Sequence, residues 1–369
     1  MSLRWQLIRA DELASPEVGR WEAIRHRTHA LDSPFLSAYF VQAVGSVRSD
    51  VRVAVIEDGP RIVGFLPFQK HGQVGRALAW GINDRQGIVA DPELVVDRRS
   101  LLDGCGLSVL AFDHLAVADV ERLGVHATIQ PSWTAELSGG SDQYLAERMR
   151  AHPGHFRSLE RKRRKMERHH ETELRVNDSD SEAMRLLVRW KAAQYRRTGR
   201  RDRFAQRWIV ELIELLRSSQ APGCRGMLST LRLDGEVAAA HFGIASEETL
   251  ACWFPAYASR HAAFSPGLQL FLGIARAAPG GVHRLDFGKG DESFKPILSN
   301  HADAVAEAEL IKPSVVATAY TAVRRPGQWA ERLVLERPRL RSGAREALKA
   351  IGWMRGVARP RHPGDDLGD

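Results

Sequence analysis

The sequence predicts two α/β domains in tandem, an α/β (α+β) chain whose sheets are mixed, mostly antiparallel and flanked by helices. Three observations point there. A chain of 369 residues exceeds the usual size of one domain. The order of helices, then strand, Asp-Gly turn and strand occurs twice, over 51–68 and again over 227–244. The second copy then runs on into a strand–helix–strand unit over 249–287.

In the first half, Trp21 to Arg25 reads as helix, and Ser33-Pro-Phe-Leu36 leads into a second helix carrying Phe40, Val41, Val44 and Val47. Asp32 or Ser33 is the expected cap, with Pro34 inside the start. Val51 to Ile56 and Arg61 to Phe68 flank Asp58-Gly59-Pro60, a hairpin signal. Trp80 to Ile88 encloses the polar, glycine-ended loop Asn83 to Gly87. Leu107 to Leu110 reads as strand, and Leu115 to Leu123 as a helical piece.

Ser138-Gly-Gly-Ser141 marks a break, followed by a short helix over Asp142 to Arg150. The most charged helix, Phe156 to Glu171, carries the run Arg161-Lys-Arg-Arg-Lys165 with Phe156, Leu159 and Met166 as sparse apolar anchors. Helices over Glu182 to Arg197 and Gln206 to Arg217 come next. Met227 to Leu233 and Glu236 to Ile244 flank Asp234-Gly235, the second hairpin. Thr249 to Phe254, the helix from Pro266 to Ala278, and the strand His283 to Phe287 form a βαβ unit, and Val305 to Ile311 is a last strand. The expected boundaries are 1–137, a degenerate first domain; 138–312, the second domain; and 313–369, a basic helical extension with a disordered tail.

With 44% hydrophobic residues the chain can bury a sizeable core. No apolar run approaches the roughly 18 residues of a membrane-spanning helix. Met1-Ser-Leu-Arg-Trp-Gln lacks the basic-then-apolar pattern of a secretory signal. Cys105, Cys224 and Cys252 are odd in number and widely separated, with neither a disulfide framework nor metal-ligand spacing. A soluble cytoplasmic protein without metal is expected. The net charge of +8 invites an anionic partner: nucleic acid, an anionic membrane surface, or a nucleotide-like cofactor. Arg-rich solvated faces account for it equally well.

The segment from Trp253-Phe-Pro-Ala-Tyr257 through Ser265-Pro-Gly267 to Leu285–Lys295 is the chemically richest. Backbone N–H groups and the helix dipole favour a phosphate where a helix begins, Pro266 suits the first turn, and Ser265 is a good cap. Together with Ser33-Pro-Phe35, Val63-Gly-Phe-Leu-Pro-Phe68, Asp84-Arg-Gln-Gly87 and the basic helix Arg157 to Arg168, this ordered set resembles the CelD/BcsL-like acetyltransferases of cellulose and exopolysaccharide synthesis. The resemblance spans roughly 20–310. It implies a tandem GNAT fold, related to that of tandem-GNAT peptidyltransferases, and acyl transfer from acetyl-CoA. One departure stands out. GNAT enzymes usually hold pyrophosphate on a Gln/Arg-x-x-Gly-x-Gly/Ala loop, whereas Arg260-His-Ala-Ala-Phe-Ser-Pro-Gly267 has one late glycine.

Each site residue has a plain alternative. Asp286 and Asp291 can take a proton from an attacking amine or hydroxyl, and Lys295 can hold a phosphate or an oxyanion; otherwise Asp291 and Lys295 form a loop salt bridge. His241 can serve as general base, although a satisfied core histidine is the favoured alternative. Tyr257 matches the tyrosine that reprotonates the CoA thiolate in many GNAT enzymes, or it is a packing aromatic. Ser265 and Gly267 are the expected cofactor-binding backbone. Gln194 and Tyr195 share a helical face suited to an acceptor, with Trp190 assigned to the core. Arg161 to Lys165 reads as a solvated or weakly membrane-steering face ahead of a nucleic-acid site, because it lacks interleaved aromatics.

The expected activity is transfer of an acyl group, acetyl first, from acyl-CoA to an amine or hydroxyl of a polysaccharide- or cell-envelope-related acceptor. Peripheral contact with the inner membrane or a synthase complex is the expected association. Two alternatives stand beside it: an aminoacyl-tRNA-dependent peptidyltransferase, and a non-catalytic scaffold of an exopolysaccharide synthase.

Overall fold

The computed structural model describes residues 3–322. The tail expected beyond 322 lies outside the described residues. The first half contains β1 (Leu3–Arg9), α1 (Ser15–Arg27), α2 (Ala38–Val47), β2 (Val51–Asp58), β3 (Arg61–His71), β4 (Val74–Ala77), β5 (Val89–Ala90), α3 (Arg98–Gly104), β6 (Val109–Ala116), α4 (Val117–Leu123) and β7 (Ala127–Glu136). The second contains α5 (Ser141–Ala151), α6 (Pro153–His169), β8 (Thr172–Val176), α7 (Ser181–Arg197), α8 (Arg207–Ser218), β9 (Arg225–Leu233), β10 (Glu236–Ala245), β11 (Thr249–Tyr257), α9 (Pro266–Ala277), β12 (Arg284–Lys289), α10 (Lys295–Leu298) and β13 (His301–Ile311). Among the described residues no helix is long and apolar enough to cross a membrane.

Both Asp-Gly turns make the expected hairpins, with β2 paired antiparallel to β3 and β9 to β10. The first turn of α2 differs from expectation. Pro34–Leu36 forms a separate 3-10 turn, and Ser37 is the cap, its hydroxyl accepting from Tyr39 N–H at 3.2 Å. A cap leaves its own backbone extended while its side chain satisfies an orphan amide, and Ser37 is the residue that meets both conditions.

The two sheets join into one of thirteen strands, ordered β1-β2-β3-β4-β6-β13-β7-β12-β11-β10-β9-β8, with β5 added to β3. Only β4–β6 and β11–β12 are parallel; the other strand pairs of this sheet are antiparallel. The middle of the sheet is built by exchange. β7, from the end of the first half, pairs with β12, and β13, from the end of the second, pairs with β6. β7 and β13 also pair with each other, His301 opposite Thr134 through Ala308 opposite Ala127. Strand order is therefore nearly mirrored about the β7–β13 seam.

A shared core fixes the halves against one another. One buried cluster draws Trp21, Phe35, Phe40 and Phe65 from the first half and Leu187, Leu212, Phe242 and Trp253 from the second. Trp253 stacks on Phe254 at 4.5 Å and meets Phe35 and Phe40 edge-on at 5.7 and 6.3 Å. Such pairs add about 0.5–1.5 kcal/mol each beyond their buried area. Two motifs far apart in sequence, Ser33-Pro-Phe35 and Trp253–Tyr257, thus meet in one core. Above it, Arg25 is 1% exposed and reaches Glu22 and Asp32 of its own half and Glu247 of the other.

Candidate active site between the halves

β11 and β12 pair over only three residues, Thr249–Ala251 against Arg284–Asp286. Past that point they part, while β12 stays paired with β7 as far as Lys289 opposite Ser132. Pro255 suits the open stretch of β11, since it has no N–H to give to a ladder. Its carbonyl accepts from Lys191 Nζ on α7 at 3.2 Å. The result is a V at the carboxyl ends of two parallel strands, where open α/β sheets bind ligands.

α9 begins at the mouth of this V. Ser265 is left-handed at φ 53°, ψ 52°, and its side chain caps no amide. Its carbonyl instead accepts from Leu268 N–H and Gln269 N–H at 3.0 and 3.1 Å, and its hydroxyl accepts from Lys162 Nζ of α6 at 2.8 Å. A Cβ at Gly267 would meet only the Tyr257 ring, at 3.6 Å, so packing does not demand a glycine here. The amide of Gly267 lies in the first turn, where no intrahelical acceptor exists. A helix start, a lysine and an accessible backbone together favour an anion.

The first half has the matching place, and the chain itself fills it. β4 and β6 pair over Val74–Arg76 and Val109–Ala111, and the Asn83–Gly87 loop then lies against β6. Gln86 Oε1 accepts from the backbone N–H groups of Asp113 and His114, both at 3.0 Å, and Gln86 N–H donates to His114 O at 2.9 Å. The loop also delivers Asp84 to the other half. Asp84 Oδ2 lies 3.2 Å from where a Cβ on Gly288 would sit, and Gly288 has φ +68°. Both facts call for glycine at 288.

Asp84 and Asp286 make a carboxylate pair around Gly288, deep between the halves yet still touched by solvent. Gly288 N–H donates to Asp286 Oδ1 at 2.8 Å. Burial pushes the Asp286 carboxyl up to about 6, with Gly288 N–H and Arg85 opposing the rise and the Asp84 charge adding to it. Asp84 is raised too, by burial first and by Asp113, while His114 and Lys295 pull it down. The His114 ring lies 3.6 Å from Asp84 and 3.3 Å from Asp113. Asp113 is held below its usual range despite burial, by His114, Gln86 and Lys289.

The basic groups are equally crowded. Lys295 Nζ is buried and donates to Lys289 O at 2.7 Å, with Glu292 at 3.1 Å. Burial presses the Lys191 ammonium down to about 8, Glu292 resisting and Arg200 and Lys295 adding to the fall. Lys191 Nζ also sits 5.5 Å from the Tyr195 ring centroid. The Tyr195 phenol is raised by burial and feels Asp84 from across the gap. Carboxyls shifted up and a lysine shifted down beside one another make this place a candidate functional site.

The expected residues fall into three groups. Asp286, Lys295 and Tyr195 converge on the cleft, with Gln194 half-buried beside Tyr195 on α7. Ser265, Gly267 and Tyr257, the last 45% exposed, gather at the α9 start. His241 and Asp291 stand apart. His241 is fully buried against Phe271 at 5.3 Å, neither ring nitrogen has a hydrogen-bond partner, and burial drives it down to about 3. A sealed imidazole that holds no proton near neutrality touches no acceptor in this conformation. It is also not the satisfied core histidine of the plain alternative. Asp291 is exposed, and Glu292 makes an ion pair with Lys295.

Three residues enter that sequence reasoning did not single out: Asp84, Lys162 and Lys191. Asp84 stood inside the Asp84-Arg-Gln-Gly87 motif. Lys162 was hidden in a basic run, and Lys191 stood within the helix Glu182 to Arg197 without a motif of its own.

Residues 154–296 match the family model described as Acetyltransferase (GNAT) domain. No curated protein sequence matches the chain. Among solved structures, the C-terminal domain of a putative lysylphosphatidylglycerol synthetase from Agrobacterium fabrum is similar at TM-score 0.50 and 17% identity, covering 84% of this chain and 96% of that one. A conserved protein of unknown function from Bacteroides thetaiotaomicron is similar at TM-score 0.51 and 11% identity, covering 80% and 97%. At these identities the likeness is one of fold. The V between β11 and β12 and the α9 start both lie within the residues that match the GNAT acetyltransferase domain, and this match supports an acyltransferase.

Proposed function

We propose that the protein transfers an acyl group, acetyl first, from acyl-CoA to an amine or hydroxyl of a polysaccharide- or cell-envelope-related acceptor lying between the halves. The observation that carries this is the V between β11 and β12 with the α9 start and Lys162 at its mouth. The residues present fit the donor. The first-turn amides, Ser265, Gly267 and Lys162 would face its phosphates, in place of the glycine-rich loop the sequence lacks.

Asp286 would take the proton of the attacking amine or hydroxyl, its raised pKa suiting a base that works near neutrality. Lys295 and Lys191 would steady the oxyanion as it forms. As the carbon–sulfur bond breaks, Tyr257 would give its phenolic proton to the thiolate. The acceptor wall would be Tyr195 and Gln194 on one side and Asp84 on the other. The acceptor class follows the CelD/BcsL-like resemblance, and the filled wedge of the first half supports one donor per chain.

Isothermal titration with acetyl-CoA tests this, with Gly267→Asp as control. One site per chain, lost in the variant, is expected. No binding of acetyl-CoA or longer acyl-CoAs would overturn the proposal. It would bring forward an aminoacyl donor, a class the name of the Agrobacterium protein suggests, or a non-catalytic scaffold.

A further inference from the structure

α6 carries a second feature on the side turned away from Lys162's contact. Arg157, Arg161, Arg164 and Arg168 follow one another at spacings of four, three and four residues. At 100° per residue they fall within about 60° of the helix circumference, in a line about 16 Å long. The opposite face holds the buried Leu159 and Met166. The line borders a groove of about 550 Å³ between α5 and α6, whose apolar side is Met149, Pro153 and Phe156. Met149 is 52% exposed.

Part of this helix's charge is matched. Arg163 pairs with Glu160 and Glu167, Lys162 reaches Ser265, and Glu160 takes up Arg164 as well. Among the described residues, Arg157, Arg161 and Arg168 have no carboxylate partner within ion-pair distance. Like charges at three- and four-residue spacing weaken a helix, and neither Arg157 nor Arg161 has an ion pair among the described residues to offset their repulsion. A helix face of arginines beside exposed apolar side chains is the pattern of an interfacial contact. The absence of an exposed aromatic in the groove argues against a stacked nucleic acid.

We propose that the Arg157–Arg161–Arg164–Arg168 face and its groove dock on the headgroups of an anionic phospholipid bilayer. Arginines meet the phosphates, and Met149 and Pro153 sit at the acyl boundary. This goes beyond the acyl-transfer proposal and does not depend on it, since none of the four arginines belongs to the cleft.

The test is flotation of the full chain with vesicles of phosphatidylcholine alone and with phosphatidylglycerol added. The triple variant Arg157→Gln, Arg161→Gln, Arg168→Gln is compared with a charge-matched one, Arg4→Gln, Arg98→Gln, Arg99→Gln. Salt-sensitive binding to the anionic vesicles alone is expected. The triple variant should lower partitioning on the order of 100-fold, at about 5-fold per arginine, and the charge-matched one should leave it within a few-fold. Thermal melting and acetyl-CoA titration should be unchanged in the triple variant, which separates this proposal from the donor site. Equal loss in both variants, equal binding to neutral vesicles, or no binding would overturn it. So would single-stranded RNA binding that the triple variant abolishes while vesicles go unbound.

Discussion

His241 gives the sharpest thermodynamic prediction. Its ring lies in the core beside Phe271 with both nitrogens unpartnered, and burial lowers its pKa from 6.5 to about 3. The unfolded chain therefore takes up this proton first as pH falls. A depressed folded pKa contributes stability that is whole above pH 6.5 and is lost progressively down to about pH 3. At about 1.36 kcal/mol per unit, the loss by pH 4 is roughly 3 kcal/mol, and the full span is roughly 5 kcal/mol. His241→Leu removes the titrating group and two unsatisfied polar atoms, each of which costs about 1–3 kcal/mol when buried. The variant should match or exceed the parent at pH 7 and should lose about 3 kcal/mol less between pH 7 and pH 4. Urea unfolding followed by tryptophan fluorescence at both pH values measures this. Parallel losses in parent and variant, or an NMR titration of His241 centred near its ordinary value, would refute the reasoning.

Three further outcomes follow from the same geometry. Asp286→Asn should lower kcat/KM about 10²–10⁴-fold with donor affinity little changed, and the parent's rate should fall below pH of about 6, where the raised carboxyl takes up its proton. Gly288→Ala places a Cβ 3.2 Å from Asp84 Oδ2 at φ +68°; it should cost roughly 1–2 kcal/mol, read as a lowered Tm. Arg25→Met leaves Glu22, Asp32 and Glu247 facing one another across the two halves and should cost about 3–5 kcal/mol in chemical unfolding, with Glu247→Gln recovering part of it.

The sequence made the hairpins legible because Asp-Gly turns and alternating apolar residues are local signals. It also made α9 legible, through Ser265-Pro-Gly267. β7 and β8 were missed for a physical reason. β8 is a five-residue edge strand with three of its five residues exposed, and the first half of β7 is largely exposed with Pro131 within it. Neither has a continuous apolar face to read. The exchange of β7 and β13 across the seam is a long-range pairing on which local pattern is silent.

Site residues divide along the same line. Asp286 and Lys295 stood in a motif whose strand-to-loop position marked them. Asp84 and Lys191 owe their place to contacts between halves and between a helix and a strand end; Asp84 stood in a motif that gave it no role, and Lys191 stood in none. A histidine in a strand has the chemistry of a base, yet a core position was the favoured reading; the ring is indeed buried, but that both its nitrogens lack a partner appears only in three dimensions.

Hydrogen–deuterium exchange with and without acetyl-CoA tests the central claim most directly, because it reports where the donor sits. Slowed exchange over 253–257 and 265–269, with the 83–87 loop of the first half unaffected or slowed less, is the predicted result. No change over 265–269, or protection confined to the first half, would contradict a donor site in the V between β11 and β12.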